Sequence, residues 1–325
     1  MKTDFRLSAR QQNLQTILDL LDENEQLSAK ELSALTGLSI VSINKLLAII
    51  LNNTEIITTD YVNTRGRRAK IYRLNYDAYQ LGIVSLVEDG TEIKATYFLT
   101  NLQGKVLQKQ FNNQTITSVE QLTEFIKSQT ASNKPAKIII GVPGAELDGY
   151  LQISDVKSLQ GINLSLAIET ATDIKTVVVN DVNASTFGAA IELNESQNIA
   201  VGIYFPNNFA PGVGIVINNR LINGADGLAG EVEYSTIDQN ASLSKQIIEY
   251  TQNIISFLDP NLIIIYAEKS QLSNLQIDQI KQTIQRRLPL HEKYKIDFER
   301  SFEEDYRLGL ATIGRHKILN DFIVD

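Results

Sequence analysis

The sequence predicts an α/β protein, with a helical N-terminal module followed by a longer body of alternating strands and helices. Three observations predict it. Apolar residues recur at helical spacing within the first fifty positions. Further on, runs such as "KIIIGV", "VVVN" and "NLIIIYA" read as buried strands set between stretches of helical spacing. The length of 325 residues calls for two or three folding units rather than one.

The first helix is read from "QQNLQTILDLLDENEQ", where Leu14, Ile17, Leu18 and Leu21 share one face. In "LSAKELSALTGLS", Ser28 and Glu31 stand three apart and form a capping box, which satisfies free N–H groups of a helix's first turn. Gly37 ends that short helix, because glycine accepts the left-handed conformation of a helix end. Ser39 then caps a third helix, with Ile43, Leu46, Leu47 and Ile50 on its inner face. Two helices across a tight glycine turn make a helix-turn-helix. The next stretch, "EIITTDYVNTRGRRAKIYRLN", alternates like two strands with a basic tip. Arg65, Arg67, Arg68 and Lys70 form a wing suited to phosphates or a minor groove. On the third helix Ser39, Ser42, Asn44 and Lys45 are the candidates for reaching base edges. Arg10 and Gln11, opening the first helix, are candidates for further phosphate contacts. The order of three helices and a basic hairpin predicts a winged helix-turn-helix.

Charge agrees with a DNA-facing head on an acidic body. The whole chain carries a net charge of −8, yet residues 1–75 hold ten Lys and Arg against eight Asp and Glu. With no cysteine there is no disulfide framework, thiolate metal site or cysteine nucleophile. His291 and His316 are the two imidazoles, both expected at the surface. "MKTDFRLSAR" has no apolar signal core, and no stretch reaches about 18 apolar residues, so a cytoplasmic location without membrane contact is expected.

In the body, three short strands are expected from residue 80, with turns at Asp89-Gly90 and Gly104. A helix at 119–128, the strand "KIIIGVPG", a helix at 164–170, a strand at 176–181 and the helix "VNASTFGAAIEL" complete one half. "NIAVGIYF", "GVGIVINNRLI", a helix at 243–258, "NLIIIYA" and a helix at 277–288 repeat that order. Two α/β lobes with a cleft between them follow.

Across these motifs the chain resembles the ROK family, which groups sugar-responsive repressors and sugar kinases on a two-lobed, actin-like (ribonuclease H-like) fold. The resemblance rests on the helix-turn-helix with its "RGRRAKIYRLN" wing, on "GVPG" at 141–144 and "NDVNAS" at 180–185. It extends through "GVGIVINNRLINGADGLAGEVEY" at 212–234. It implies a DNA-binding domain at 1–76 and a ligand-sensing, dimerising body at 77–325. The lobes would span 77–190, joined by a C-terminal helix at 307–320, and 191–306. It further implies a homodimer on a palindromic double-stranded DNA operator, with a sugar or sugar-phosphate effector in the cleft. The ligand residues would be Gly144, Asn180, Asp181, Glu231 and Tyr234, with Asp181 at the position of the kinase base. An Asn-Asp pair after a strand also caps a helix, so that reading stands beside the first.

The kinase parts diverge. Where family kinases carry Asp-x-Gly-Gly-Thr, this chain has "GIVSLVEDG", read as lacking both a metal-positioning carboxylate and a glycine pair. Asn208, Phe209 and Ala210 replace a second glycine loop, and Tyr266-Ala267-Glu268 replaces an adenosine-contacting Gly-Gly. Tyr234 stands where the family's zinc-binding His is usual, beside Glu233 and with no cysteine run. No catalytic residue, metal or cofactor is therefore expected. The expected function is a transcriptional regulator, a repressor of carbohydrate-utilisation genes. The alternatives are a regulator whose body is a ligand-free dimerisation scaffold and, further off, an active sugar kinase.

Overall fold

The computed structural model describes residues 7–64, 67–89, 92–191, 199–267 and 272–324. The head comprises α1 (Ala9–Glu23), β1 (Leu27–Ser28), α2 (Ala29–Thr36), α3 (Ile40–Asn53), β2 (Ile57–Thr64) and β3 (Arg67–Leu74). Leu14, Ile17, Leu18 and Leu21 of α1 are buried against Ile43, Leu47 and Ile50 of α3 and Ile56 beyond it. Each such side chain removed from water contributes about 1.5–3 kcal/mol, which holds three helices too short to persist alone. Ser28 accepts the Glu31 N–H at 3.3 Å while Glu31 accepts the Ser28 N–H at 2.7 Å, so the capping box forms. Gly37 takes φ +74°, and α2 and α3 meet at 113° across it. β1 is an addition to the expected elements: it pairs with β3 and makes a three-stranded sheet in the order β1-β3-β2.

The body contains two sheets of one topology. The first, ordered β10-β7-β4-β5-β6, is built from β4 (Gln80–Asp89), β5 (Glu92–Asn101), β6 (Val106–Phe111), β7 (Lys137–Val142) and β10 (Thr176–Asn180). The second, ordered β13-β12-β11-β14-β15, uses β11 (Ile199–Tyr204), β12 (Gly212–Ile217), β13 (Arg220–Leu221), β14 (Leu262–Tyr266) and β15 (Lys295–Asp297). In each, the lobe's first strand lies central, pairs antiparallel with its second and parallel with its fourth. The repetition expected from element order is thus a repetition of topology. A hairpin of β8 (Gly144–Leu147) and β9 (Tyr150–Ser154) leaves the end of β7.

Helices α4 (Val119–Thr130), α5 (Leu164–Thr172), α6 (Asp181–Ala190), α7 (Leu243–Leu258) and α8 (Asn274–Arg287) cover the sheets. Several expected bounds shift. The strands of the first meander reach ten residues in β4 and β5, and β10 stops at Asn180 because Asp181 opens α6. The C-terminal helix α9 runs Phe302–Val324, well beyond 307–320. It crosses α6 at close range: a side chain on Gly188 would overlap the Asp305 carbonyl, and one on Gly309 the Ala184 carbonyl. Among the described residues no single helix is long and apolar enough to cross a membrane.

Helix α9 also docks the head. Asp22 of α1, with a side chain 8% exposed, pairs with Arg315 at 2.9 Å and with His316 at 3.2 Å. Arg315 donates to the Leu102 carbonyl at 3.0 Å and lies over the Tyr76 ring. Burial by itself would raise the Asp22 carboxyl, but the His316 bond and the Arg315 charge outweigh it and hold the group below its ordinary pKa. Both histidines remain partly exposed, as expected of surface side chains, and each pairs with a carboxylate, His291 meeting Asp259 at 2.9 Å. Gln11 is corrected: its amide completes a cap with Ser8 and donates to the Ile323 carbonyl at 2.9 Å, so it faces α9 rather than an incoming phosphate.

Candidate functional site

Two regions carry recognition chemistry. In the head, α3 buries Ile43, Leu46, Leu47 and Ile50, which turns Val41, Asn44, Lys45 and Ala48 outward at the complementary spacing. Asn44 and Lys45 are exposed, and no acidic residue occurs in α3 to repel a phosphate. Val41 is 65% exposed, an apolar group on the same outward face. Ser39 does local work: its hydroxyl accepts the Ser42 N–H at 3.1 Å and lies 2.9 Å from the Ser42 hydroxyl. Those two serines start the helix, which places them at its edge rather than on the outward stripe. In the wing, Arg65 lies outside the described residues, and Arg67 opens β3 opposite Thr64. Arg68 is exposed, and the Lys70 ammonium sits 5.3 Å from the Tyr72 ring centre. Arg67, Arg68 and Lys70 thus follow the tip along β3.

The second region is a cleft of about 320 Å³ between the lobes. Val87, Glu88, Gly144, Asp155, Asn180 and Asp181 line it from the first lobe, and Tyr204, Asn208, Phe209, Ala229, Gly230 and Glu231 from the second. Asn180 caps α6 by accepting the Asn183 N–H at 2.8 Å, and donates to the Gly144 carbonyl at 3.0 Å. That bond ties the end of β10 to the start of the β8–β9 hairpin. Gly144 takes φ +151° with its α-carbon pressed on Ile153, an approach that a side chain would block. The capping reading therefore holds for Asn180, and its amide retains one N–H and lone-pair capacity for a ligand.

Asp181 is 6% exposed and accepts the Val182 N–H at 2.8 Å. Burial, with Asp155 and Glu231 nearby, lifts its carboxyl to about 8 despite the N–H bonds it receives. Asp155 is pushed to about 7 by burial and by the charges of Glu88, Glu231 and Glu233. Glu231 rises too, through burial first and Glu233 second. Tyr234 is not brought to the cleft: it is 74% exposed and absent from the lining, because the short turn at Val232–Tyr234 directs it outward.

Sequence reasoning missed Asp155, Glu233 and Glu88. Asp155 had no motif to mark it, and Glu233, although inside the motif at 212–234, counted only as a departure from the family pattern. Glu88 had a signal, a carboxylate at the C-terminal end of a strand, in the stretch "GIVSLVEDG" read only for a metal-positioning carboxylate and a glycine pair. Phe209, read as an obstacle to a close backbone approach, packs from the second lobe against the apolar core of the first. Glu268 lies outside the described residues. Among the described residues no group of three or more His, Cys, Asp or Glu is placed to hold a metal.

The sequence pattern of the ROK family matches residues 87–245. The chain carries a ROK family domain. That ROK domain contains the cleft carboxylates Glu88, Asp155, Asp181 and Glu231, while the winged head lies ahead of it. Among curated proteins the chain is similar to the xylose repressor of Caldicellulosiruptor bescii, 26% identical over 238 residues, covering 69% of this chain and 57% of that protein. It is similar also to the xylose repressor of Bacillus subtilis, 25% identical over 241 residues, covering 70% and 61%. The chain thus spans about three fifths of the length of these relatives. Among solved structures, a ROK family transcriptional regulator described as a homolog of the E. coli Mlc protein superposes with a TM-score of 0.74 at 17% identity. The match covers 97% of this chain and 98% of that one. A ROK hexokinase from Thermus thermophilus follows at a TM-score of 0.60 and 14% identity, covering 72% and 97%. The chain therefore shares the fold of these solved structures, the head included in the first match.

Proposed function

We propose that this protein is a sugar-responsive transcriptional repressor, which binds double-stranded DNA through its head and an effector in the interlobe cleft. One observation carries the reading: helix α9 begins in the cleft and ends on the head. Phe302, at its first turn, lines the cleft and stacks on Tyr204 of the second lobe at 4.0 Å. Arg315, His316 and the Ile323 carbonyl, farther along, hold α1. A ligand that favours one lobe arrangement shifts Tyr204 against Phe302, and the same rigid helix passes that shift to the head.

In this reading α3 enters a major groove, with Asn44 and Lys45 reaching base edges and Arg65, Arg67, Arg68 and Lys70 gripping the adjacent backbone. Ser39 and Ser42 stand at the helix start, close to the phosphates. A homodimer would present two heads to a palindromic operator. In the cleft Gly144, Asn180, Asp181 and Glu231 would form the effector seat, and Tyr234 has no place in it. The domain division at residue 76 and the lobes at 77–190 and 191–306 serve this reading. The chain is proposed not to be a kinase, because Glu88 at the end of β4 takes up the N–H groups of the Asn207–Asn208 loop that would have to cradle phosphates.

The relatives' name makes D-xylose the first effector to try. The test is fluorescence anisotropy of labelled DNA from upstream of neighbouring sugar-utilisation genes, with and without D-xylose and other neutral aldoses. The reading expects affinity that falls steeply with salt and shifts with one of the sugars. Weak association without salt dependence would end the DNA-binding claim. Turnover of ATP with an aldose, abolished by Asp181→Asn, would restore the kinase.

A further inference from the structure

Strand β4 ends in a buried carboxylate whose hydrogen bonds run to the other lobe. Glu88 is 7% exposed, and it meets the loop that follows β11. Its Oε2 accepts the backbone N–H of Asn207 at 3.1 Å, and its Oε1 accepts the backbone N–H of Asn208, also at 3.1 Å. The Asn208 side-chain amide donates to the same Oε1 at 2.6 Å. Successive backbone N–H groups that converge on one point form a nest, a concavity that binds phosphate and other anions. In this protein the anion is already present, and the chain supplies it.

We propose that Glu88 permanently occupies the anion seat of the cleft, so that the cleft admits uncharged polyhydroxylated ligands and refuses phosphorylated ones. The proposal rests on the reading of the cleft as an effector site and narrows it to one class of effector. The rest of the lining agrees. Glu88, Asp155, Asp181, Glu231 and Glu233 all border the cleft, and among the described residues no Lys, Arg or His does. A phosphate group entering would lose its water, meet these carboxylates and find its natural N–H donors taken. A neutral sugar meets no such opposition, because carboxyl and amide groups both accept from and donate to hydroxyls. Burial first, and the neighbouring carboxylates after it, raise the pKa values of Asp155 and Asp181. Glu88 also fastens one lobe to the other, so the same three bonds set the closed position of the cleft.

Isothermal titration calorimetry on the full chain tests this, using D-xylose, D-glucose, glucose 6-phosphate and inorganic phosphate as probes. The wild type should show no heat with either phosphate. Glu88→Ala vacates the nest, and inorganic phosphate should then bind at least about tenfold more tightly than to the wild type. Glu88→Gln, nearly isosteric, should show a smaller gain and guards against an Ala variant that fails to fold, with far-UV circular dichroism as the check. Two results overturn the proposal: a wild type that binds glucose 6-phosphate more tightly than glucose, or a folded Glu88 variant that gains nothing for inorganic phosphate. If no neutral sugar binds the wild type, the effector reading fails on its own, while the phosphate comparison still decides the role of Glu88.

Discussion

Replacing Asp22 by Asn would break the junction between head and body. The carboxylate and the Arg315 guanidinium are 8% and 10% exposed and lie 2.9 Å apart, with His316 and Tyr76 on the same carboxylate. Removing the charge leaves Arg315 buried with the Leu102 carbonyl and the face of Tyr76. Breaking one side of such a pair costs about 3–5 kcal/mol, and Asn retains shape and one acceptor, so about 3 kcal/mol is expected. At about 2.1 cal/mol/K per residue, a 325-residue cooperative unit loses about 4 °C in Tm. A head that melts separately loses several times more. The sign with pH follows from the direction of the Asp22 shift. Its pKa is lowered on folding, so its contribution is present above the ordinary carboxylate range and is lost as pH falls through the lowered value. Wild type and Asp22→Asn should therefore differ most near neutrality and converge in acid. Thermal melts followed by far-UV circular dichroism across that range measure both. Joint replacement, Asp22→Leu with Arg315→Met, should recover most of the loss, because an apolar pair of similar volume leaves no charge stranded. A single variant that melts within about 0.5 kcal/mol of the wild type at neutral pH would refute the reasoning, since that is the range of an ordinary surface change.

Other perturbations read other parts of the molecule. Asp155→Asn should stabilise the empty protein at pH 8 by about 1–2 kcal/mol, after allowance for water in the cleft, and have little effect at pH 4. The raised pKa near 7 means that the wild type loses stability as pH climbs from the ordinary carboxylate value to that point. Gly309→Val should cost more than about 3 kcal/mol in denaturant melts, because the new side chain meets the Ala184 carbonyl in the crossing of α6 and α9. Arg68→Ala should weaken DNA binding about equally across sequences and reduce the salt slope by about one. Val41→Ser should instead relax selection at one position of an enriched random pool, if its exposed methyl groups meet a thymine methyl. Equal selection by both proteins would remove Val41 from base reading.

The head was legible in the sequence because its determinants are local. Ser28 and Glu31 cap within one turn, Gly37 ends that helix by its own conformation, and the buried faces repeat at fixed spacing. The lobes were legible as an order of elements, but β1 and β15 are short strands defined by their neighbours, and neither stretch of sequence announces them. The cleft divides along the same line. Asn180 and Asp181 were visible because a strand ends beside them, and the first of them proves to be a cap as well. Glu88 and its partners stand 119 and 120 positions apart, and no pattern in either segment points to the other. Tyr234 was placed by motif order, but a single turn of backbone decided where it faces.

Helix α9 can also be considered as a lever. Its 23 residues at about 1.5 Å each give an arm about 34 Å long. A tilt of about 5° at the Phe302 end would carry the other end through about 3 Å, close to the spacing of one base-pair step. In a dimer whose two heads must match half-sites about one turn apart, a displacement of that size puts the second head out of step with its groove. A rotation too small to notice at the cleft is thus long enough, by the far end of the arm, to be counted in base pairs.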